Sequence, residues 1–363
     1  MSFKFELHQF EMPWPKSTEF AVQDLLKAND PFVLADSDID QYNVLLFRQF
    51  QEHTNSSLTA IFDQNLLNDV VEIIRASLEN RPPQRKGIQV AAAAMTFLQA
   101  ANAMIEPGVA IHEKPDASRL RDLQLFRCAD EVNARSYADL ALGRIASLRR
   151  EELPPLPAVE KLHDFSKKIS GRSVHRTCML KIACLELEHK TPFDRMKEYL
   201  RWSYEDFIFC AIPTLFACSH LCPNRKKGVL KNTKSRDRER ALQEIENALW
   251  DVQLIENWAR RACSEKYGSR SVILCSNDEA LKRLARLVCA PVGTDANRHK
   301  MITDHFGAYW GKTEGPPLAS IYLNYESRIN DSSCSERKMP TEKYQDELAA
   351  SLEKQLLGWN SEQ

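Results

Sequence analysis

The sequence has almost no net charge, no long apolar run and no internal repeat, and each absence excludes a class of protein. Its 363 residues carry 49 Lys and Arg against 50 Asp and Glu, a formal charge of -1. Overall basicity therefore cannot drive nucleic-acid binding, which would have to come from a local patch. The longest apolar run, "FIFCAIPTLFAC" from Phe207 to Cys218, is too short to span a bilayer and is broken by Pro213. The opening "MSFKFELHQFEMPWPK" lacks the apolar core of a leader peptide. Together these features predict a cytoplasmic protein without membrane contact. No segment recurs at a fixed period, which removes solenoids and propellers. A composition of 43% hydrophobic and 27% charged residues is that of an ordinary globular chain with a sizeable core.

The placing of the ten cysteines suits reduced, buried thiols better than a disulfide framework. Several, such as Cys184, Cys210 and Cys289, sit inside apolar helical patterns, as buried reduced thiols do. Cys218, His220 and Cys222 cluster in "CSHLC", but no second Cys/His pair follows at a finger-like spacing. His112-Glu113 begins like a zinc-protease helix and lacks the second histidine. Zinc is therefore not expected.

What the chain does have is a recurring junction of apolar run, acid and helix. "SVILCSNDEALKRLARLV" opens with Val272, Ile273 and Leu274 and closes with Leu281, Leu284, Ala285 and Val288 at helical spacing. Ser276, Asn277, Asp278 and Glu279 lie between. Such residues cap helices, and they equally suit a ligand site at the carboxyl end of a strand. "SLTAIFDQNLLNDVVEIIRASL" repeats the pattern, with a strand from Leu58 to Phe62, Asp63 at its end and an amphipathic helix after it. In "IEPGVAIHEKPDA" a third short strand is expected at Val109–Ile111, with Glu113 just beyond and Glu106 as a rival acid. A fourth acid, Asp251, lies at the margin of the apolar face of the helix "ALQEIENALWDVQLIENWARRA", one turn from Asn247. If the strands are parallel neighbours, their ends gather Asp63, Glu113 and Asp278 at one edge of the sheet, and the helix lays Asp251 across it. Clustered carboxylates repel by about 4 kcal/mol per pair at 4 Å. Hard divalent cations, Mg2+ or Mn2+, relieve that repulsion and activate water for attack on a phosphodiester.

"AIFDQNLL", "GVAIHE", "ALWDVQLIENWA" and "VILCSNDEALKRLA" resemble the four acidic motifs of PIN-domain nucleases. The resemblance implies a three-layer α/β/α sandwich with a short, mostly parallel sheet and Mg2+- or Mn2+-dependent ribonuclease activity, as in toxin or defence modules. Asp63, Glu113, Asp251 and Asp278 would be the catalytic metal ligands. Asn65, Ser276 and Asn277 would assist, Asn65 by orienting water or phosphate. The span from Asp63 to Asp278 exceeds a minimal domain of this family. The expected organisation is an N-terminal extension over 1–57, core halves over 58–150 and 241–327, a helical insertion over 151–240, and a polar linker with an amphipathic helix over 328–363.

"RKKGVLKNTKSRDRER" supplies a local basic patch, with Arg225, Lys226, Lys227 and Lys231 as candidate RNA contacts. RNA is the expected substrate, with DNA left open. The helical insertion and the final helix, with Leu348, Leu352 and Leu356 at helical spacing, suit a protein partner or self-association. The competing expectation is a PIN-like scaffold that binds RNA or a protein without cutting.

Overall fold

The computed structural model describes residues 14–35, 40–54, 57–158, 169–225, 230–262, 270–288, 295–330 and 340–359. The chain forms two compact units. Met1–Asp164 with Arg261–Asp278 make the first, and Phe165–Arg260 with Glu279–Gln363 make the second. The protein is of mixed α/β class, mostly helical with one small mixed sheet.

That sheet lies in the first unit. Its strands are β1 (Phe32–Leu34), β2 (Ser57–Phe62), β3 (Met104–Glu106) and β4 (Arg270–Cys275), in the order β1-β4-β2-β3. β2 pairs in parallel with both β4 and β3, while β1 runs antiparallel to β4. β2 and β4 are therefore the inner strands. Both are near-continuous apolar runs, as strands buried on both faces must be; Leu58, Ala60, Ile61, Phe62, Ile273 and Leu274 are all fully buried.

Around the sheet the unit carries α1 (Lys16–Asn29), α2 (Val44–Thr54), α3 (Gln64–Leu78), α4 (Ile88–Ala100), α5 (Asp116–Asp130) and α6 (Ala134–Ala141). α3 buries Leu66, Leu67, Val70, Val71 and Ile74, the stripe its spacing predicts. α4 is apolar on every side, and Ala91 to Ala94 are fully buried. Small side chains let its backbone approach α1 and α6, against which it packs.

Four expectations change here. The segment before residue 57 is part of the sheet unit, because β1 pairs Phe32, Val33 and Leu34 with Cys275, Leu274 and Ile273. The third strand is Met104–Glu106, not Val109–Ile111, which lies in a 3-10 turn over Gly108–Glu113. α4 stops early because Asn102 takes a left-handed conformation (φ 53°) and Ala103 N–H reaches back to Leu98 O at 2.8 Å, a Schellman stop. Pro107, lacking an N–H, and Gly108 at φ 55° then turn the chain out of the strand. The apolar spacing predicts one helix over about 130–148, but after α5 ends at Asp130 only Ala134–Ala141 is helical there: Asn133 caps α6 by accepting Arg135 N–H at 2.8 Å, and Gly143 at φ 68° follows its end.

The second unit is helical: α7 (Arg172–Leu187), α8 (Pro192–Glu205), α9 (Ala211–Leu221), α10 (Arg238–Ala262, within this unit to Arg260), α11 (Glu279–Val288), α12 (Asp295–Asn330) and α13 (Glu342–Leu357). α12 is two helical halves joined at Gly311, whose φ of 74° and ψ of -176° belong to glycine. The aromatic and β-branched residues of "LASIYLNY" suit a strand, but the segment lies in the second half of this helix, with Leu318, Ala319 and Tyr322 buried on one face. Trp310 packs in the same unit and donates its indole N–H to Cys218 O at 3.0 Å. α13 packs on α7 and buries Leu352 and Leu356, so those stripe residues are covered within the unit and are not free to hold a partner. No described helix is long and apolar enough to cross a membrane.

Candidate acidic site at the strand ends

The adjacent parallel strands β2 and β4 end together, which sets the geometry of the site. Phe62 is in register with Cys275. Asp63 N–H then donates to Cys275 O at 2.8 Å, and Ser276 N–H to Pro31 O at 2.8 Å. Both residues are thus held by backbone bonds one step past their strands. The Asp63 carboxylate is buried, although the residue stands at the N-cap position of α3. It makes no capping hydrogen bond into that helix. Its Oδ2 accepts instead from Ser276 Oγ at 2.9 Å and from Asn65 Nδ2 at 3.5 Å. Ser276 Oγ in turn accepts the Asp278 backbone N–H at 2.9 Å. One buried hydroxyl therefore ties the acid of one strand end to the acid of the other.

Glu113 closes the 3-10 turn after β3. Gln64, the first residue of α3, sets its side-chain amide against Glu113, and with the amide assigned nitrogen-inward, as two carboxylate oxygens require, it donates to them at 2.6 and 3.2 Å. Lys114 beside it donates to Asn68 Oδ1 and pairs with Asp122 at 2.9 Å. Burial, then the negative charge of Asp63, push the Glu113 carboxyl up to about 7, against a small opposing pull from Lys114. Burial raises Asp63 as well, and Asp278 adds to the rise. The Ser276 hydroxyl, the Gln64 backbone N–H and the Asn65 amide pull the other way.

The rest of the unit shows how unusual this is. Its other buried acids have cations: Asp69 pairs with Arg85, Glu72 with Arg81 at 2.6 Å, and Asp122 with Arg75 at 2.7 Å and with Lys114. Asp63 has only neutral donors among the described residues. Burying an ionised carboxylate without a counter-charge is costly, and a cation from solution removes the cost. Carboxylate and amide oxygens at two rigid strand ends suit a hard ion. Among the described residues no group of three or more Asp, Glu, His or Cys side chains is disposed to hold a metal ion.

The other sequence candidates are placed as follows. Glu106 forms a double salt bridge with Arg261, at 2.6 and 3.1 Å, which removes it as the second acid. Asp251 is half-buried on α10 and belongs to the second unit. Asn65 and Asn277 are exposed. Of the basic residues, Arg225 is bound to the buried Glu186 at 2.8 Å, so it anchors its own unit and is not free for phosphate. Lys231 is exposed, and Lys226 and Lys227 lie outside the described residues. Sequence reading missed Gln64 and Lys114. Gln64 had a visible signal, since it directly follows the first acid; Lys114 had none. Compared with family models, curated proteins and solved structures, the chain shows no match.

Proposed function

We propose that the first unit is a PIN-like, metal-dependent nuclease that hydrolyses RNA, with Asp63, Glu113 and Asp278 around the reacting phosphate. The observation that carries this reading is the buried Asp63 carboxylate, held at a strand end by neutral donors, with no cation partner among the described residues and two more acids beside it. Mg2+ or Mn2+ bound there supplies charge neutralisation and an acidified water. Asp63 and Asp278 are the residues that would hold the ion. Ser276 fixes Asp63 and the Asp278 backbone in one orientation. Glu113, with a proton affinity near neutrality, takes the proton of the attacking water, and Gln64 keeps its carboxylate aimed. Exposed Asn65 lies where it can donate to a phosphate oxygen. RNA is chosen over DNA on the motif resemblance.

The test is cleavage of a labelled pool of single-stranded and structured RNAs in Mn2+ or Mg2+. Activity should vanish in EDTA, and Asp63→Asn, Asp278→Asn and Glu113→Gln should each lower it by about 100-fold or more. Activity unchanged in the variants would overturn the assignment. The lack of a three-ligand cluster among the described residues favours one other reading, a PIN-like scaffold that holds RNA without cutting it. Metal-dependent RNA binding with no cleavage by folded protein would select that reading.

A further inference from the structure

The second unit holds a cleft that the acidic site does not use. It lies between α8 and the second half of α12 and has a volume of about 430 Å3, in the range of small-molecule sites. One wall is a stripe of α8. Asp194, Lys197, Glu198, Arg201 and Glu205 recur at three- and four-residue intervals, so helical periodicity puts them on one face. The other wall is Ile321 and Tyr325, one turn apart on α12 and both half-buried. Tyr325 is held by stacking on Tyr204, with ring centroids 4.2 Å apart and planes at 10°, and by an edge contact with Phe209 at 6.3 Å. The apolar wall is therefore preformed, which spares a ligand the cost of ordering it.

The charges on the α8 wall are not equivalent. Glu198 is neutralised by Lys190 and by Lys181, the latter at 3.5 Å. Asp194 accepts the hydroxyl of Thr191, the N-cap of α8, at 2.6 Å. Lys197 and Arg201 form no hydrogen bond or ion pair among the described residues, although acids stand three or four positions from each, where helix-surface pairs usually form. Other basic side chains of the unit have found acids. Arg172 and Arg176 both hold Glu246, at 2.9 and 2.6 Å, and Arg298 holds Glu326 at 3.1 Å. Two uncommitted cations one turn apart suit a dianion. A phosphate monoester carries close to two negative charges at neutral pH and offers three acceptor oxygens, to which Lys supplies a point charge and Arg a fork of donors. A single carboxylate would leave one cation unmatched. Glu205, one turn past Arg201, has no hydrogen bond or ion pair among the described residues either, and its oxygens accept from hydroxyl groups.

We propose that this cleft binds a small phosphate monoester of mononucleotide size. The phosphate sits on Lys197 and Arg201, sugar hydroxyls donate to Glu205, and the base lies against Ile321 and Tyr325. Binding there requires no metal ion and no chemistry at Asp63, so it stands apart from the nuclease reading.

The experiment is calorimetric titration of the full chain with AMP, GMP, CMP and UMP in EDTA, which keeps divalent ions off the acidic site. The expected result is saturable one-to-one binding of at least one of them. Its nucleoside and inorganic phosphate, each filling only part of the cleft, should bind about tenfold more weakly or worse. Lys197→Gln and Arg201→Gln, both at exposed positions, should each weaken the nucleotide by about tenfold or more. Ile321→Ser should weaken the nucleotide and leave inorganic phosphate unchanged. Lys300→Gln, at an exposed cation on α12 outside the cleft, should change nothing. The absence of saturable binding of any of the four by the wild-type chain would overturn the proposal. So would inorganic phosphate binding as tightly as the nucleotide, or Lys300→Gln costing as much as Arg201→Gln, which would mark attraction to bulk charge only. A 5′-phosphorylated RNA oligonucleotide that binds more tightly than any mononucleotide, with the same dependence on Arg201, would overturn it in favour of an RNA-end site. The first two outcomes are read on wild-type protein, so a variant that fails to fold does not decide the matter.

Discussion

Single residues carry the chemistry, and the acidic site makes definite demands on them. Glu113 has an ordinary value of 4.5 when unfolded and about 7 in the fold. Its contribution to stability is therefore fully present below the unfolded value and is lost as pH rises through about 7. Without divalent ions the thermal midpoint should fall between about pH 5 and about pH 8, and Glu113→Gln should flatten that fall. Scanning calorimetry in EDTA checks this. With Mn2+ present the trend should reverse, because ionised acids bind the ion. Asp63→Asn should stabilise the metal-free protein at neutral pH while abolishing cleavage, a split that identifies a charge kept for function. Ser276→Ala leaves Asp63 and the Asp278 N–H without their shared partner and should cost about 1–3 kcal/mol by chemical denaturation. At this scale the sequence was legible where a residue type and its place in a strand-helix junction coincide, as at Asp63, Ser276 and Asp278. Partners such as Arg261 for Glu106, or Asp122 for Arg75, are far away in sequence, and no local pattern points to them.

Elements were legible in proportion to their length and periodicity. α3 and the strands β2 and β4 follow directly from apolar runs and a helical stripe, and the parallel pairing of β2 with β4 was the expected neighbour relation. The three-residue strands β1 and β3 are too short to show any alternation. β3 also follows an alanine-rich helix whose end is set by the backbone of Asn102. "LASIYLNY" misled because its aromatic and β-branched residues suit a strand, whereas packing within the helical unit makes it a helix. The Gly311 joint was equally silent in the sequence, and it makes a prediction of its own. A side chain is excluded from its φ and ψ, so Gly311→Ala should destabilise the protein by roughly 1–3 kcal/mol. Thermal unfolding measures that cost, and a neutral result would mean that the two halves of α12 can merge into one helix.

For the whole molecule, the division into two units is discontinuous along the chain. β4 is an inner strand, paired on both sides, yet it enters the first unit from residues 261–278. A fragment covering residues 1–164 lacks it and should not fold. Its circular dichroism and solubility should be those of an unfolded chain, and a compact, cooperative fragment would contradict the sheet order. The near-zero net charge had already signalled that any nucleic-acid contact must be local. Of the basic residues chosen for that contact, Arg225 turned out to be an internal anchor, because a buried carboxylate such as Glu186 leaves no trace in the charge pattern of a distant loop. A core split by a helical insertion was the expectation, while the bounds of the two units are set by packing between distant segments and carry no local signal.

That late-arriving strand also fixes a schedule for synthesis. Arg270 leaves the ribosome 208 residues after Phe62 (270 − 62), roughly 10–40 s later at ordinary elongation rates. Until then the growing chain has Asp63 but neither Ser276 nor Asp278 to place beside it. A nascent or prematurely terminated product therefore carries an incomplete centre, and under the nuclease activity proposed above that delay would act as a safety catch.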